Sequence, residues 1–230
     1  MKGTLPLINF TAMINIDAYK SLSAECTAKN VTLVAVSKTK PVEDILELYD
    51  LGQRDFGENY VQELLEKEKQ LPKDIHWHFI GHLQTNKVKQ VLNFVHLIHG
   101  VDSLKLLKEI NKQSEKINKV TNCLLQVHIA QEETKFGLDE KELNEIIGEF
   151  DNSTMKNVNI LCLMGMASFT NDESQVRKEF HYLRSLQAKL STENRKLETL
   201  SMGMTADYTI AIEEGSNMIR IGSLIFGSRN

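Results

Sequence analysis

Short apolar runs recur along this chain, and each is followed by a stretch whose apolar residues have the spacing of one helix face. The apolar runs predict eight strands, at residues 31–38, 55–59, 76–81, 97–101, 123–129, 160–167, 199–204 and 218–226. The stretches between them predict helices at residues 41–51, 60–68, 85–92, 103–114, 139–150, 174–191 and 206–214. A further helix is predicted before the first strand, over roughly residues 9–29.

The strict alternation of strand and helix predicts a parallel sheet, because consecutive parallel strands must be joined by a crossover. Eight such units predict one α/β domain over residues 1–230, a (β/α)8 TIM barrel with an extra N-terminal helix. An open doubly wound sheet is the alternative, but the chain has neither G-x-G-x-x-G after its first strand nor G-x-x-x-x-G-K-[S/T] anywhere. A barrel would carry its site at the carboxyl ends of the strands.

Composition and charge say more about the partners of the protein than about its fold. The net charge of −4 gives no overall basic field to attract nucleic acid. Cys26, Cys123 and Cys162 are scattered and odd in number, which fits a reducing cytosol better than a disulfide framework. The first residues lack the apolar core of a secretory signal, and no apolar run approaches the roughly 20 residues that cross a bilayer. We therefore expect a cytoplasmic protein that binds neither nucleic acid nor membrane.

Two lysines follow the first predicted strand, in the stretch TLVAVSKTKP. Val34, Val36 and Lys38 share one face of that strand, because side chains alternate along it. Lys38 is therefore either an exposed cation at the strand end or a Schiff-base lysine, whose amine must be partly neutral to attack an aldehyde. For Lys40, in the loop before Pro41, a solvated cation is the simpler interpretation.

The last two predicted strands carry groups suited to an anion. Arg220 alternates with Ile219 and Ile221, so it faces the barrel interior if they face outward. An arginine in that position requires an anion or another acceptor. Glycine lets a backbone approach a ligand closely, and the stretches LSMGM and RIGS together indicate a phosphate site beside the first strand. Each of these stretches alone could also form an ordinary turn.

Several histidines lie near the predicted strands, which raises the question of a metal. They are His76, His78, His82, His96, His99 and His128. A zinc site needs three or four converging ligands, and the chain has neither H-E-x-x-H nor paired cysteines. We therefore interpret them as histidines of the core or the rim and predict no metal site.

Seven stretches occur in order between residues 33 and 227: LVAVSKTKP, GQRDFGENYVQE, WHFIGHLQTNK, HGVDS, TKFG, LMGMAS and LSMGMTADYTIAIEEGSNMIRIGSLIFG. In these stretches the chain resembles the pyridoxal phosphate homeostasis proteins, a family with a barrel like the N-terminal domain of alanine racemase. The resemblance covers nearly the whole chain, and its first and last stretches are the most specific.

The resemblance implies that pyridoxal 5′-phosphate (PLP) is the cofactor, held as an internal aldimine by Lys38. Lys40 is then a loop lysine or an auxiliary acceptor. Arg220 would face the pyridine nitrogen, whose proton an always-charged arginine cannot take, so the ring would be a poor electron sink. The other residues implied by the resemblance are Ser201, Gly222 and Ser223 at the phosphate, Lys135 near the phenolic oxygen, and Asn59, His82 and Met202 along the pocket.

The resemblance favours a protein that buffers or delivers PLP over an enzyme, with no catalytic residue assigned. Alanine racemases use a second base, a tyrosine from a C-terminal β-domain across a dimer, and we expect none here because the sequence stops at Asn230 after the eighth strand. The expected partners are PLP and PLP-dependent apo-enzymes, and the expected state is a monomer. A small PLP-dependent amino-acid racemase and a barrel that binds a sugar phosphate are the alternatives.

Overall fold

A computed structural model describes residues 14–132, 136–152, 155–192 and 197–227, and these form a barrel of parallel strands surrounded by helices. The strands are β1 Thr32–Val36, β2 Asp55–Glu58, β3 His76–Phe79, β4 Val95–Val101, β5 Thr121–Val127, β6 Val158–Gly165, β7 Thr199–Ser201 and β8 Met218–Ile221. The helices are α1 Ile16–Ala28, α2 Val42–Asp50, α3 Val61–Gln70, α4 Val88–Val91, α5 Leu104–Lys116, α6 Glu140–Asn152, α7 Glu173–Leu190, α8 Tyr208–Glu213 and α9 Ser223–Phe226. A 3₁₀ turn, Thr85–Lys87, precedes α4.

The sheet closes on itself, since each strand pairs with the next and β8 pairs with β1. Leu33 lies opposite Ile219 and Val34 lies opposite Arg220 in that closing pair. The prediction of a barrel with an extra N-terminal helix is confirmed, and the open sheet is excluded. The part of the predicted first helix at residues 9–13 lies outside the described residues.

Side chains alternate between the interior of the barrel and the layer beneath the helices. Leu33 and Ala35 belong to the large outer core together with Ile219 and Ile221. A separate interior cluster contains Val34, Leu97, Leu124, Met164 and Met218. The predicted facing of the first strand is therefore confirmed, and Met164 of LMGMAS packs inside the barrel.

The predicted strands are correct in number and order, but most of them end earlier in the structure than the prediction placed their carboxyl ends. The largest error concerns residues 218–226, because β8 ends at Ile221 and the last four of these residues form the short helix α9. An apolar run such as SLIF fits either element by periodicity, so tertiary contacts decide. The carbonyl of Ile225 accepts a hydrogen bond from the backbone N–H of Asn15, which ties α9 to the start of α1.

Helix ends follow local capping chemistry. The hydroxyl of Ser103 accepts from the N–H of Leu106 and so caps α5. Pro41 was predicted as the first helical residue of α2 but is its N-cap, with an extended backbone. Within the ranges that the structure describes, no helix combines the length and the apolar character that crossing a membrane requires.

The three cysteines are buried, and we expect them to resist thiol reagents in the native protein. Burial raises the pKa of Cys26 to about 11 and that of Cys162 to about 12, and it also raises the pKa of Cys123. Because the thiolate is the reactive form, a chromogenic disulfide at neutral pH should label these thiols only after denaturant is added. Rapid labelling of the native protein would contradict this description of the core.

Candidate functional site

A cavity of ≈ 940 Å³ opens at the carboxyl ends of the strands. Its lining comes mainly from the segments that follow β1, β2, β6, β7 and β8. The structure brings five of the predicted residues to this one cavity, namely Lys38, Asn59, Arg220, Gly222 and Ser223. Side chains that are distant in the sequence thus meet where a barrel carries its site.

Lys38 lies in the turn after β1, two residues beyond the end of the strand, and it is partly buried. The backbone on both sides of it is held in place. The N–H of Ser37 donates to the carbonyl of Gly57 at 3.0 Å, and the N–H of Thr39 donates to Glu63 Oε1 at 2.5 Å. Thr39 has a φ of 63°, a left-handed conformation that is strained for a β-branched residue. The turn that carries Lys38 is therefore held in a backbone conformation that the chain alone would not prefer.

A buried ion-pair network beneath this turn supplies the restraint. Lys67 Nζ on α3 donates to the carbonyl of Ser37 at 2.8 Å and pairs with Glu58 Oε1 at 2.8 Å and Glu63 Oε1 at 2.6 Å. The hydroxyl of Ser37 also donates to Glu58 Oε1, at 2.6 Å. Burial raises the pKa of Glu58, while Lys67 and Ser37 oppose that rise. The network connects two strands and a helix to the residues that flank Lys38.

Arg220 points from β8 into the barrel and is 4% exposed. Its Nη1 donates to the hydroxyl of Ser201 at 2.6 Å, and its Nη2 donates to the carbonyl of Gly165 at 3.1 Å. Burial lowers the pKa of Arg220 to about 10, so the guanidinium is still charged at neutral pH. The cavity therefore has a fixed cation at its floor, as the alternation with Ile219 and Ile221 predicted.

Ser201 extends a line of hydrogen bonds away from Arg220 through the barrel. Its hydroxyl lies 3.2 Å from His99 Nδ1, and His99 Nε2 lies 2.9 Å from His78 Nδ1. His78 Nε2 lies 2.9 Å from Asp55 Oδ1, at the amino-terminal end of the barrel. His78 and His99 are core histidines as predicted, but the sequence did not reveal that they connect to the site.

Asn59 follows β2 and presents an unused acceptor close to the cavity. Its Oδ1 is buried and has no hydrogen-bond partner among the described residues. A buried polar atom in this state is best satisfied by a ligand or water. Gly81, on the neighbouring segment, permits the arrangement because its backbone approaches that of Asn59 closely.

Gly81→Ala should therefore destabilise the protein and displace Asn59. A Cβ at residue 81 would overlap the carbonyl oxygen of Asn59 and lie 2.8 Å from its Cα, and backbone atoms cannot move away cheaply. We expect a loss of about 1–3 kcal/mol in the free energy of unfolding, measured with denaturant. The control is Gly148→Ala in α6, which has open space at its Cβ and should stabilise by up to about 1 kcal/mol. Equal effects of the two substitutions would contradict the packing described.

Three predicted residues do not line the cavity. His82 is at the rim, where its Nδ1 lies 2.8 Å from Asp102 Oδ2 and its ring stacks on Phe136. Met202 is fully buried in the outer core, because it follows the inward-facing Ser201 and so faces the opposite way. The hydroxyl of Ser201 is engaged with Arg220 and His99, so it contributes through Arg220.

Two further lysines, Lys40 and Lys135, are among the residues considered for the site. Lys40 also lines the cavity and is partly buried, and its Nζ donates to the carbonyl of Phe226 at 2.7 Å, so it is more restrained than a freely solvated cation. Lys135 lies outside the described residues. Within the described ranges, no group of three or more His, Cys, Asp or Glu side chains is arranged to hold a metal ion.

Sequence reasoning missed the segment after β6, which forms one wall of the cavity. Ser168 in this segment is held by Glu179 of α7, whose Oε2 accepts from the Ser168 N–H at 2.6 Å and whose Oε1 accepts from its hydroxyl at 2.7 Å. Glu179 is 8% exposed and resembled any other charged helix residue in the sequence. Its burial depends on how α7 packs, which the sequence pattern does not show.

Comparisons with known proteins agree on one group. The family described as "Alanine racemase, N-terminal domain" matches residues 15–230. The pyridoxal phosphate homeostasis protein of Aquifex aeolicus is 44% identical over 199 residues, covering 86% of each chain. That of Schizosaccharomyces pombe is 38% identical and covers 90% of this chain and 88% of its own.

Solved structures resemble the chain in the same way. PipY of Synechococcus elongatus, solved with PLP bound, has a TM-score of 0.82 and 32% identity, covering 92% of this chain and 99% of PipY. Alanine racemase from Bartonella henselae has a TM-score of 0.71 and 19% identity, covering 92% of this chain and 59% of the racemase. The second likeness shows a shared barrel fold.

Proposed function

This chain belongs to the pyridoxal phosphate homeostasis protein family, and on that premise we propose that it binds PLP in the cavity described above and buffers or delivers it. The observation that carries the proposal is that Lys38 and Arg220 line the same cavity. The barrel fold alone does not require a lysine and a buried arginine to line the same cavity. A relative with PLP bound shares this fold over nearly its whole length.

The residues present fit PLP. The cofactor has an aldehyde, a pyridine nitrogen and a phosphate, and the cavity volume is within the range of about 300–1,000 Å³ typical of small-molecule sites. An amine, a buried guanidinium and an unsatisfied acceptor on Asn59 converge on that cavity. Gly222 and Ser223 directly follow β8 and line the cavity. In barrels the segments after the last strands often bind phosphate.

The proposed roles follow from these positions. Lys38 would hold PLP through its Nζ, which suits the aldehyde group, and Arg220 would face the pyridine nitrogen. The backbone amides of Gly222 and Ser223 would hold the phosphate. The contact of Lys135 with the phenolic oxygen stays a prediction.

Buffering and delivery suit this chemistry better than turnover. Bound PLP supplies an aldehyde that can be exchanged from one amine to another. Arg220 holds its proton at neutral pH and therefore cannot stabilise a carbanion by protonating the ring. We accordingly propose that the chain acts as one PLP-binding domain, without racemase turnover, and that it passes PLP to PLP-dependent apo-enzymes. A monomeric state stays a prediction, which light scattering can check.

The test adds PLP to the purified protein and removes the unbound cofactor by gel filtration. We expect a visible absorption band that elutes with the protein, and we expect that pyridoxal without its phosphate is retained less well. A colourless protein that retains a sugar phosphate would contradict the proposal. Incorporation of deuterium at Cα of alanine or serine at an ordinary turnover rate would favour the racemase instead.

A further inference from the structure

A hydrogen-bonded chain crosses the barrel interior from the floor of the cavity to the opposite face of the molecule. It runs from Arg220 through Ser201, His99 and His78 to Asp55, and we call it the core relay. The four residues from Arg220 to His78 are at most 4% exposed, whereas the Asp55 side chain is 27% exposed at the start of β2. The core relay thus joins a buried cation to a carboxylate near solvent.

The cationic end of the core relay favours one direction of donation along it. A guanidinium can only donate hydrogen bonds, so the Ser201 hydroxyl must accept from Arg220. Its own proton is then available to His99 Nδ1, and we infer that this nitrogen is unprotonated and accepts it. A neutral His99 in this tautomer carries its proton on Nε2 and donates it to His78 Nδ1.

The acidic end fits the same direction. Burial opposes ionisation of Asp55, but its contacts with His78 and His76 lower the pKa of this carboxyl overall. An ionised carboxylate can only accept, so His78 must donate from Nε2, which leaves its Nδ1 to accept the proton that His99 offers from Nε2. Burial, reinforced by the charge of Arg220, holds the pKa of His99 well below its usual range and keeps that ring neutral. Every bond in the core relay is therefore satisfied with one orientation.

We propose that Asp55, His78 and His99 are positioning residues that orient the Ser201 hydroxyl as an acceptor and thereby fix the Arg220 guanidinium at the floor of the cavity. The proposal rests on the proposed contact between Arg220 and PLP. A buried charge needs a satisfied polar environment, and the core relay supplies it from the far end of the barrel. The Asp55 carboxylate tunes the cofactor site without touching it.

The direct test needs no substitution and no cofactor. Long-range proton–nitrogen NMR on protein with ¹⁵N-labelled histidine reports which ring nitrogen carries the proton. We expect the rings of both His78 and His99 to carry a proton on Nε2 and none on Nδ1. A proton on Nδ1 of either ring, or a doubly protonated ring, would overturn the proposed direction.

Substitutions at Asp55 then test the effect on the cofactor site. Asp55→Leu removes the acceptor and should weaken PLP binding about tenfold, the lower end of what loss of an orienting partner costs elsewhere. Asp55→Asn keeps an oxygen acceptor and should stay within about threefold of the wild type. The matched control is His76→Gln, because His76 Nδ1 also contacts Asp55, at 3.3 Å, but lies outside the core relay.

The outcomes separate the two proposals. If Asp55→Leu folds and binds PLP as tightly as the wild type, the positioning role is refuted. If His76→Gln weakens binding as much as Asp55→Leu, the effect belongs to the amino-terminal face and not to the core relay, which also refutes it. If the wild type does not bind PLP, the proposed function fails, and the histidine tautomers still decide the direction of the core relay.

Discussion

Lys38→Ala is expected to abolish the visible band of bound PLP completely. Lys38 is partly buried in a turn whose backbone is held on both sides, and it lines the cavity together with Arg220. Removing its amine removes the covalent bond, so PLP would be held only by non-covalent contacts and would be lost during gel filtration. Absorption spectra of the two proteins after equal loading measure the effect.

The matched control for this substitution is Lys40→Ala. Lys40 lines the same cavity, but its Nζ is engaged with the carbonyl of Phe226 at 2.7 Å. We expect this variant to retain the visible band. A band that persists in Lys38→Ala and disappears in Lys40→Ala would reverse the assignment of the two lysines.

Lys67→Met is expected to cost about 3–5 kcal/mol in the free energy of unfolding, because it leaves a buried carboxylate without its cation. Lys67 pairs with Glu58 and Glu63, and the side chains of Lys67 and Glu58 are 6% and 0% exposed. The same change releases the carbonyl of Ser37 and the strained backbone at Thr39. The variant should therefore also bind PLP less tightly, even where it is fully folded.

Denaturant unfolding of Lys67→Met beside Lys73→Met checks this prediction. Lys73 also forms an ion pair with a glutamate, Glu68, but its side chain is 66% exposed. Exposed pairs contribute about 1 kcal/mol or less, so this control should unfold almost like the wild type. Similar losses in the two variants would show that the buried network does not have the proposed role.

Glu58 should also give the network a dependence on pH. Its pKa is raised in the folded protein, chiefly by burial, so the folded state holds this proton to higher pH than the unfolded chain does. The contribution of Glu58 to stability is therefore present below the ordinary value of 4.5 and is lost as pH rises through the raised pKa. The stability of Glu58→Gln relative to the wild type should accordingly improve with rising pH across that window. A difference that does not change with pH would contradict the raised pKa.

The alternation of side chains along β1 and β8 was enough to predict that Lys38 and Arg220 face the cavity. Lys38 shares a strand face with Val34 and Val36, and the other face carries the outer-core residues Leu33 and Ala35. Arg220 likewise faces away from its outer-core neighbours Ile219 and Ile221. The same rule, applied from the inward-facing Ser201, places the Met202 side chain in the outer core, where the structure has it. The expectation that Met202 lines the pocket came from the resemblance and not from this alternation.

Contacts between distant elements could not be predicted in this way. The core relay joins β2, β3, β4, β7 and β8, and it exists only because the barrel closes with a particular register. The restraint beneath Lys38 likewise depends on Lys67 turning inward from a helix rich in charged residues. Neither a histidine nor a lysine carries a local signal that it will be buried and paired.

Borohydride reduction of the protein loaded with PLP, followed by peptide mass mapping, tests the central claim most directly. Reduction makes the bond between cofactor and lysine permanent, so the added mass identifies the residue that holds PLP. The account predicts the added mass on the peptide that contains Lys38, with Lys38 itself modified. Added mass on Lys40 or on a lysine outside the cavity, or no added mass in a protein that retains PLP, would contradict it.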